Sequence, residues 1–451
     1  MVGGKRPLPA VADAASVGAS SPLPAVKRPA GTAAATSAAP ASAASSSPKL
    51  KAPPKTSTHP GWPPGPLYSE SAARAAVGPP PAAAPESLRI LAWNVASLRS
   101  ALDSSKHGGR SPIADLVSAE SPDVLIVQET KINVSLEGEL WRTLEAQLEG
   151  AGVPRGTYRP CWSSSGEPAA KGHAGVVALV KTTGAGEGHT AVAGLPDDVR
   201  AACGDAFGAG AATTKGEPGP ADYLHAEGRV VTVRLRGASV VGVYSPNSGM
   251  KLARLGVRSA PRGWDTALRR HVEGLVASRP GRPVVLVGDL NVAPAAIDLA
   301  RPTAANAKAA GFTPQERASF ARLASSSAAA TAGAGAEAEP GGSDDAPGAH
   351  PPPLVDAFRA LHPATVAYSY WSQRAGQFGP NQGWRLDHTL VDRRCFAPAD
   401  DAGAREAVSG VRVHEAFILR SRLSDADPRP SDHAPVGVTL VGPPGSLVRE
   451  G

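Results

Sequence analysis

Short runs of apolar, mostly β-branched residues recur from residue 89 to residue 441. They are Arg89–Trp93, Val124–Val127, Val176–Val180, Val230–Leu235, Ser239–Tyr244, Val284–Val287, His388–Val391, Val411–Ile418 and Val436–Val441. Each has the length and composition of a strand and is too short for a stable helix. Helical patterns are fewer: Ile113–Ala119, Ser135–Ala151, Trp264–Ser278 and Pro314–Leu323. In Trp264–Ser278, Leu268, Val272, Leu275 and Val276 recur at helical spacing. In Val230–Leu235, Val231, Val233 and Leu235 alternate with Thr232 and Arg234, as in a half-buried strand. A short turn at Arg236–Ala238 then predicts a hairpin with Ser239–Tyr244. Strands outnumber helices and some neighbours are antiparallel. The expected fold is α/β, with two mixed β-sheets packed face to face and flanked by helices.

The rest of the 451 residues frames this body. Residues 1–86 are nearly all Ala, Pro, Ser, Gly, Lys and Arg, which bury too little apolar surface to offset their ordering entropy. They predict a disordered basic tail ahead of a domain at 87–444, with a short tail at 445–451. Two low-complexity stretches, about 182–223 and 325–353, read as mobile surface insertions. The formal charge of +6 sits before Ser69, where seven Lys and Arg face Asp13 alone; the remainder has 39 residues of each sign. A neutral body binds nucleic acid only through a local patch, with the tail adding attraction to nucleic acid or import machinery. Cys161, Cys203 and Cys395 form no metal pattern or disulfide framework, which suits a reducing compartment. No apolar run reaches membrane-spanning length, so no membrane partner is expected, and a monomer is. The Lys5-Arg6 and Lys27-Arg28 clusters suit import into the nucleus; the acid-poor, Ala/Ser-rich tail equally suits a chloroplast or mitochondrial transit peptide.

Polar groups gather at the ends of the apolar runs. Asn94 follows Arg89–Trp93, Gln128-Glu129 follows Val124–Val127, and Tyr244 ends a run followed by Pro246-Asn247. Asp289 and Asn291 follow Val284–Val287. In an extended chain positions i and i+2 share a face, so these two are expected to point together. Asp387 begins a run, and Asp432-His433 precedes the last one. A single such ending is a turn, because Asp and Asn stop strands by bonding nearby backbone. Six of them predict one rim of one sandwich.

The segments LAWNVASLR (91–99), VQETK (127–131), EGR (227–229), YSPNSG (244–249), GDLNVAP (288–294), GFTPQER (311–317), GWRLDH (383–388) and SDHAPV (431–436) occur in this order. Together they resemble the exonuclease III family of apurinic/apyrimidinic (AP) endonucleases, within the endonuclease/exonuclease/phosphatase superfamily. GDLN and SDH run across the superfamily, whereas GFTPQER and GWRLDH are specific to its DNA-repair branch. The resemblance implies a four-layer α/β sandwich. It also implies Mg²⁺-dependent hydrolysis of the phosphodiester 5′ to abasic sites in double-stranded DNA, with 3′-phosphodiesterase and 3′–5′ exonuclease activity; Mn²⁺ would substitute. Carried over position by position, Glu129 is the principal metal ligand, Asp289 orients or deprotonates the attacking water, and Asn291 holds the phosphate. His433 contacts the phosphate with Asp387 as its partner. Asn94 and Asp432 lie near the metal, and Asp289, Asn291 and His433 would form a second metal position; one metal and two both remain open. Tyr244 contacts the phosphate. Asn247 and Met250 contact DNA, and Tyr370, Trp384 and Leu386 form the recess for a bare sugar.

The sequence departs from the family at three places. Ala96 stands where the family has Asp or Asn, which predicts weaker metal binding with retained activity. Met250 stands where animal relatives carry a basic residue, and His173 where a Tyr is common. Leu91 stands where relatives with a thiol-dependent regulatory role carry a cysteine, so that role has no support. Two alternatives remain open: the same fold acting on RNA, inositol phosphates or a 5′ adduct, and a catalytically weak DNA-binding or regulatory protein.

Overall fold

The structure, a computed structural model, describes residues 65–77, 86–167, 172, 174–208, 224, 226–326, 352–397, 408–423 and 429–447. His173, most of the tail at 1–86 and nearly all of the stretch 325–353 lie outside them.

Two mixed sheets form the centre. The first holds β1 (Glu86–Asn94), β2 (Val124–Gln128), β3 (Tyr158–Ser163), β4 (Val176–Lys181), β12 (Arg412–Ile418) and β13 (Val436–Gly442), in the order β12-β13-β1-β2-β4-β3. The second holds β5 (Thr190–Ala193), β6 (Val230–Arg234), β7 (Ser239–Tyr244), β8 (Val284–Asp289), β9 (Ala324–Ser325), β10 (Leu354–Asp356) and β11 (Asp387–Asp392), in the order β5-β6-β7-β8-β11-β10-β9. The predicted hairpin is β6–β7, with Val230 opposite Val243 and Arg234 opposite Ser239.

The central strands are buried on both faces, not half-buried as the alternation in β6 predicts. Val231, Val233, Val240, Val285 and Val287 enter the core between the sheets. Their neighbours Val230, Val241, Val243, Val284 and Leu286 face helix Trp264–Ser278, which supplies Leu268, Val272 and Leu275. Thr232, expected to face water, is buried and its hydroxyl lies 2.8 Å from His271 Nε2 on that helix. Continuous apolar runs are what a strand between two layers needs. On the first sheet, helix Pro112–Glu120 brings Ile113, Leu116 and Val117, and helix Glu137–Gly150 brings Leu140, Leu144 and Leu148. Pro112 opens its helix at the position where a missing N–H costs nothing.

Order extends beyond the expected boundaries. Upstream, Tyr68 N–H donates to Val366 O at 2.9 Å, and the Tyr68 ring meets Phe358 edge-on at 5.2 Å. Helix Glu70–Val77 follows, and Arg74 on it pairs with Glu120 at 2.9 Å. Downstream, Leu447 is fully buried and its N–H donates to Glu86 Oε2 at 2.6 Å. Within 182–223, β5 pairs along β6, and helix Asp197–Gly208 buries Cys203 in the helix-facing core. These segments are elements of the fold, while 209–223 lies outside the described residues.

Register positions the site. β8 and β11 are antiparallel with Asp289 directly opposite Asp387, and the parallel pair β7–β8 sets Tyr244 beside Asp289. In the first sheet the parallel pair β1–β2 sets Asn94 beside Gln128. Behind β11 lies a buried ionic network. Arg385 Nε donates to Asp298 Oδ1 at 2.7 Å, and its Nη2 lies 2.8 Å from Asp356 Oδ2. Arg359 pairs with the same Asp298 oxygen at 2.6 Å. Burial opposes the Asp298 and Asp356 charges, yet Arg385 outweighs it and holds both carboxyls below their ordinary range. Removing Arg385 would leave two carboxylates buried with too little counter-charge. Arg385→Met is therefore expected to cost about 3–5 kcal/mol, read as a lower urea midpoint at unchanged slope. A loss under about 1 kcal/mol would mean the network contributes little.

Candidate active site

Three strands end at the site in left-handed backbone. Ala96 has φ +57°, Glu129 +53° and Asn291 +49°. Non-glycine residues hold such values only where their surroundings over-determine them, and they gather at functional sites. For Asn291 this corrects the extended-chain reading. The strand stops at Asp289, and Asn291 N–H donates back to Asp289 Oδ1 at 2.8 Å. The two side chains meet through a turn closed by an Asp side chain, not through strand alternation. Gly288 permits the bend: its φ is +140°, and a Cβ there would run into the Val243 carbonyl.

Asn94 joins the sheets. Its amide nitrogen donates to Glu129 Oε1 at 3.0 Å and to Asp289 Oδ2 at 2.9 Å, while its Oδ1 accepts from Ala96 N–H at 3.0 Å. Glu129 also meets Lys131 Nζ at 2.7 Å. Burial disfavours the Glu129 charge, but Lys131, Asn94 and His433 together keep its pKa below the ordinary value. Asn291 Nδ2 donates to Ser245 O at 3.0 Å, and its Oδ1 accepts from Asn247 Nδ2 at 2.8 Å. These contacts make Asn291 the brace between Asp289 and Asn247. Tyr244 lies under the Arg229 guanidinium, 4.8 Å from the ring centre, and burial together with Glu129 pushes its phenol well above 10.

His433 and Asp387 form a dyad. Nδ1 of His433 lies 2.8 Å from Asp387 Oδ2, which also accepts from Ser369 Oγ at 2.6 Å. The other ring nitrogen, Nε2, faces Asp289 Oδ2 at 4.0 Å. Burial works against the imidazolium, but Asp387, Asp289 and Asp432 outweigh it and lift the His433 pKa to about 10. Asp289 is raised as well, which for a carboxyl favours the neutral form. Burial and the Asp387 charge lift its pKa to about 7, against the pull of His433.

The remaining predicted positions surround this cluster. The Tyr370 ring tilts against His433 at 4.8 Å between centroids. Leu386, Leu299, Phe312 and Ala293 form a small apolar cluster with Tyr370 and Trp384 partly buried at its edge. Met250 stands 91% exposed beyond Gly249. Asp432 is partly buried, and its carbonyl accepts from Trp371 N–H at 2.9 Å.

Some residues of the site escape sequence reasoning. Ser369 takes the backbone N–H groups of Leu386 and Asp387, each at 3.0 Å, and donates to Asp387. Arg258, 2% exposed, donates to the carbonyls of Pro246, Leu290 and Asn291 at 3.1, 2.6 and 2.9 Å. It staples the loop bearing Asn247 to the loop bearing Asn291. Its Nε also donates to Asp265 Oδ2 at 3.3 Å, and no local signal marks its backbone acceptors.

Among the described residues, Asp289, Asp387 and His433 bring one ligand atom each within 4.8 Å of one another. Glu129 lies outside that group and joins it through Asn94. The carboxylate and amide oxygens of Asp289, Glu129 and Asn94 suit a hard divalent cation. Burial and then the Asp387 charge lift Asp289, and a cation would balance that second contribution, so the residues fit a metal.

Residues 91–433 match the endonuclease/exonuclease/phosphatase family. The chain belongs to that family. Among its relatives is an exodeoxyribonuclease of Streptococcus pneumoniae, 30% identical over 328 residues that span 71% of this chain and 96% of the relative. The DNA repair nuclease APEX1 of Danio rerio is 29% identical over 324 residues, 72% of this chain and 79% of that protein. A DNA-(apurinic or apyrimidinic site) endonuclease of Dictyostelium discoideum is 28% identical over 355 residues, 78% of this chain and 70% of that protein. An AP endonuclease of Leishmania major shares the fold, with a TM-score of 0.53 at 24% identity over 84% of this chain and 93% of that one. The four-layer α/β architecture expected from the motifs is the one observed.

A pKa raised above its unfolded value adds stability that is complete below about 6.5 and lost as the pH climbs through about 10. In Asp387→Asn the carboxylate is gone and burial dominates. The His433 pKa, followed by histidine NMR in chelator, is then expected to fall to or below the ordinary value. The alkaline loss of stability should vanish with it. A His433 that still titrates with the wild type would refute the dyad.

Proposed function

We propose that this protein is a DNA-repair nuclease that hydrolyses the phosphodiester on the 5′ side of an abasic nucleotide in duplex DNA, with Mg²⁺ as its cation. The observation that carries this reading is the position of Asp289, 4.0 Å from Nε2 of His433 in the His433–Asp387 dyad, beside the apolar cluster of Leu386 and its partly buried edge of Tyr370 and Trp384. The relatives' names supply the substrate class.

The chain's own groups divide the work. His433, held cationic by Asp387, donates from Nε2 to a phosphoryl oxygen, where negative charge grows in the transition state. Its strand-end position keeps it fixed, because Trp93 Nε1 donates to the His433 carbonyl at 2.8 Å. Asp289 takes the proton of the attacking water, and a pKa near neutrality suits a general base. Asn94 and Asn291 hold its two oxygens in place. Glu129, Asp289 and Asn94 would hold the cation. When bound, it supplies Lewis-acid polarisation of the phosphoryl group and a more acidic water. The apolar edge receives the bare sugar, which lacks the stacking that a base would lose on leaving the duplex. The 3′ activities follow from the same site acting at a strand end.

The test is single-turnover incision of a duplex carrying one tetrahydrofuran abasic analogue. Mg²⁺-dependent cleavage on the 5′ side is expected, with a loss of about 10²–10⁴-fold in Asp289→Ala. Folded wild-type protein that leaves this duplex intact across Mg²⁺ and Mn²⁺ would move the site to another phosphate substrate. Ala96 supplies a second measurement. An aspartate tolerates left-handed backbone better than alanine and would add an oxygen donor beside Asn94. Ala96→Asp is expected to bind Mg²⁺ several-fold more tightly by calorimetry, and an unchanged affinity would contradict the assignment of this strand end to the metal.

A further inference from the structure

One charged feature lies outside the site described above. Phe378 belongs to the loop between Trp371 and Gly383, and two guanidinium groups cover its ring. Arg420 Cζ lies 4.6 Å and Arg429 Cζ 4.5 Å from the ring centre. Arg420 also covers Trp371 at 5.6 Å, and Trp371 meets Phe378 edge-on at 5.2 Å. Several other partly buried arginines have carboxylate partners. Arg89 and Arg422 share Glu120, Arg359 and Arg385 share Asp298, and Arg394 has Asp392. Among the described residues neither Arg420 nor Arg429 has one. Arg420 donates only a long bond to Phe378 O at 3.4 Å, its Nε is buried without a partner, and burial lowers its pKa.

A ring attracts a guanidinium through its face. The N–H groups point outward in the guanidinium plane, so a stacked arginine keeps its donors free and its orientation fixed. That is the preparation a phosphate requires, since Arg binds phosphate through two parallel N–H groups. The position is right for a long anionic substrate. Trp371 N–H donates to Asp432 O, Tyr370 lies against His433, and Arg429 precedes His433 by four residues on the same loop. The two cations therefore flank the catalytic loop and do not enter the site itself.

We infer that Arg420 and Arg429, braced on Phe378, bind the sugar–phosphate backbone of duplex DNA beside the scissile bond; this rests on the DNA reading above. A neutral body needs such a local patch to hold a polyanion. The contact carries charge and no base readout, so it adds affinity without sequence preference.

The experiment is the affinity of the full chain for an abasic duplex in chelator, by fluorescence anisotropy, across a range of salt concentrations. Arg420→Gln/Arg429→Gln is expected to flatten the slope of log affinity against log salt by about 1 for each arginine. Affinity at moderate salt should fall about tenfold or more. Arg420→Lys/Arg429→Lys keeps the charge and should restore most of the slope. A glutamine variant with the wild-type slope would overturn the inference. If it also melts earlier, the arginines serve the stability of the fold instead. A wild-type protein that incises the duplex while the slope is unmoved defeats this inference alone. One that neither binds nor incises it defeats the DNA reading as well.

Discussion

A single carboxamide crosses from one sheet to the other. Asn94 ends β1, yet one of its two amide hydrogens reaches Asp289 at the end of β8. The other reaches Glu129 just past β2. Its side-chain oxygen takes Ala96 N–H, and its backbone carbonyl accepts from Ser431 Oγ at 2.6 Å, one residue before Asp432-His433. Every hydrogen-bonding group of the side chain is used, at a position with no exposure. The two sheets are therefore locked at the rim that carries the chemistry. A sandwich free to slide would separate Glu129 from Asp289 and leave neither in a defined place.

That rim is electrostatically strained. Like charges directly opposite in an antiparallel pair repel, and Asp289 faces Asp387 across β8 and β11. The fold answers asymmetrically. Asp387 receives Ser369, two backbone-anchored contacts behind that hydroxyl, and His433. Asp289 receives amides and a distant imidazole, so the proton affinity that the pair cannot shed collects there. Two carboxylates of equal kind thus take unequal roles: one fixes a histidine and the other is poised to accept a proton.

Much of this was legible in the sequence, because continuous apolar runs leave few choices of element and their polar ends fall on one rim. The strands that were missed lack that signal for physical reasons. β3 contains Pro160, which suits only an edge strand. β5 exposes all four of its residues, and β10 has three. The half-buried reading of β6 failed because helix Trp264–Ser278 covers the face that alternation assigned to water. The turn at Asp289–Asn291 was visible, but its left-handed geometry was not, since local sequence does not report backbone strain. Ser369 and Arg258 act on partners far away along the chain, and no spacing announces them.

The two most specific motifs turn out to be largely framework. In GFTPQER, Glu316 is fully buried and accepts from Gly311, Thr313 and Ser248, so it ties its own loop to the YSPNSG loop. In GWRLDH, Arg385 and His388 point away from the dyad. Arg385 can only donate, so His388 Nδ1 accepts at 3.0 Å and its Nε2 hydrogen goes to Val292 O at 2.8 Å. Arg385 thereby anchors β11 to Asp298, and His388 anchors it to the chain just beyond Asn291. In EGR, Glu227 holds Arg229, whose Nη1 donates to Tyr244 O at 3.0 Å. These buried contacts set where Asn247, Tyr370 and Trp384 stand around Asp289 and His433. A variant of Glu316 or Arg385 would then change substrate fit through loop position while leaving every reacting side chain present.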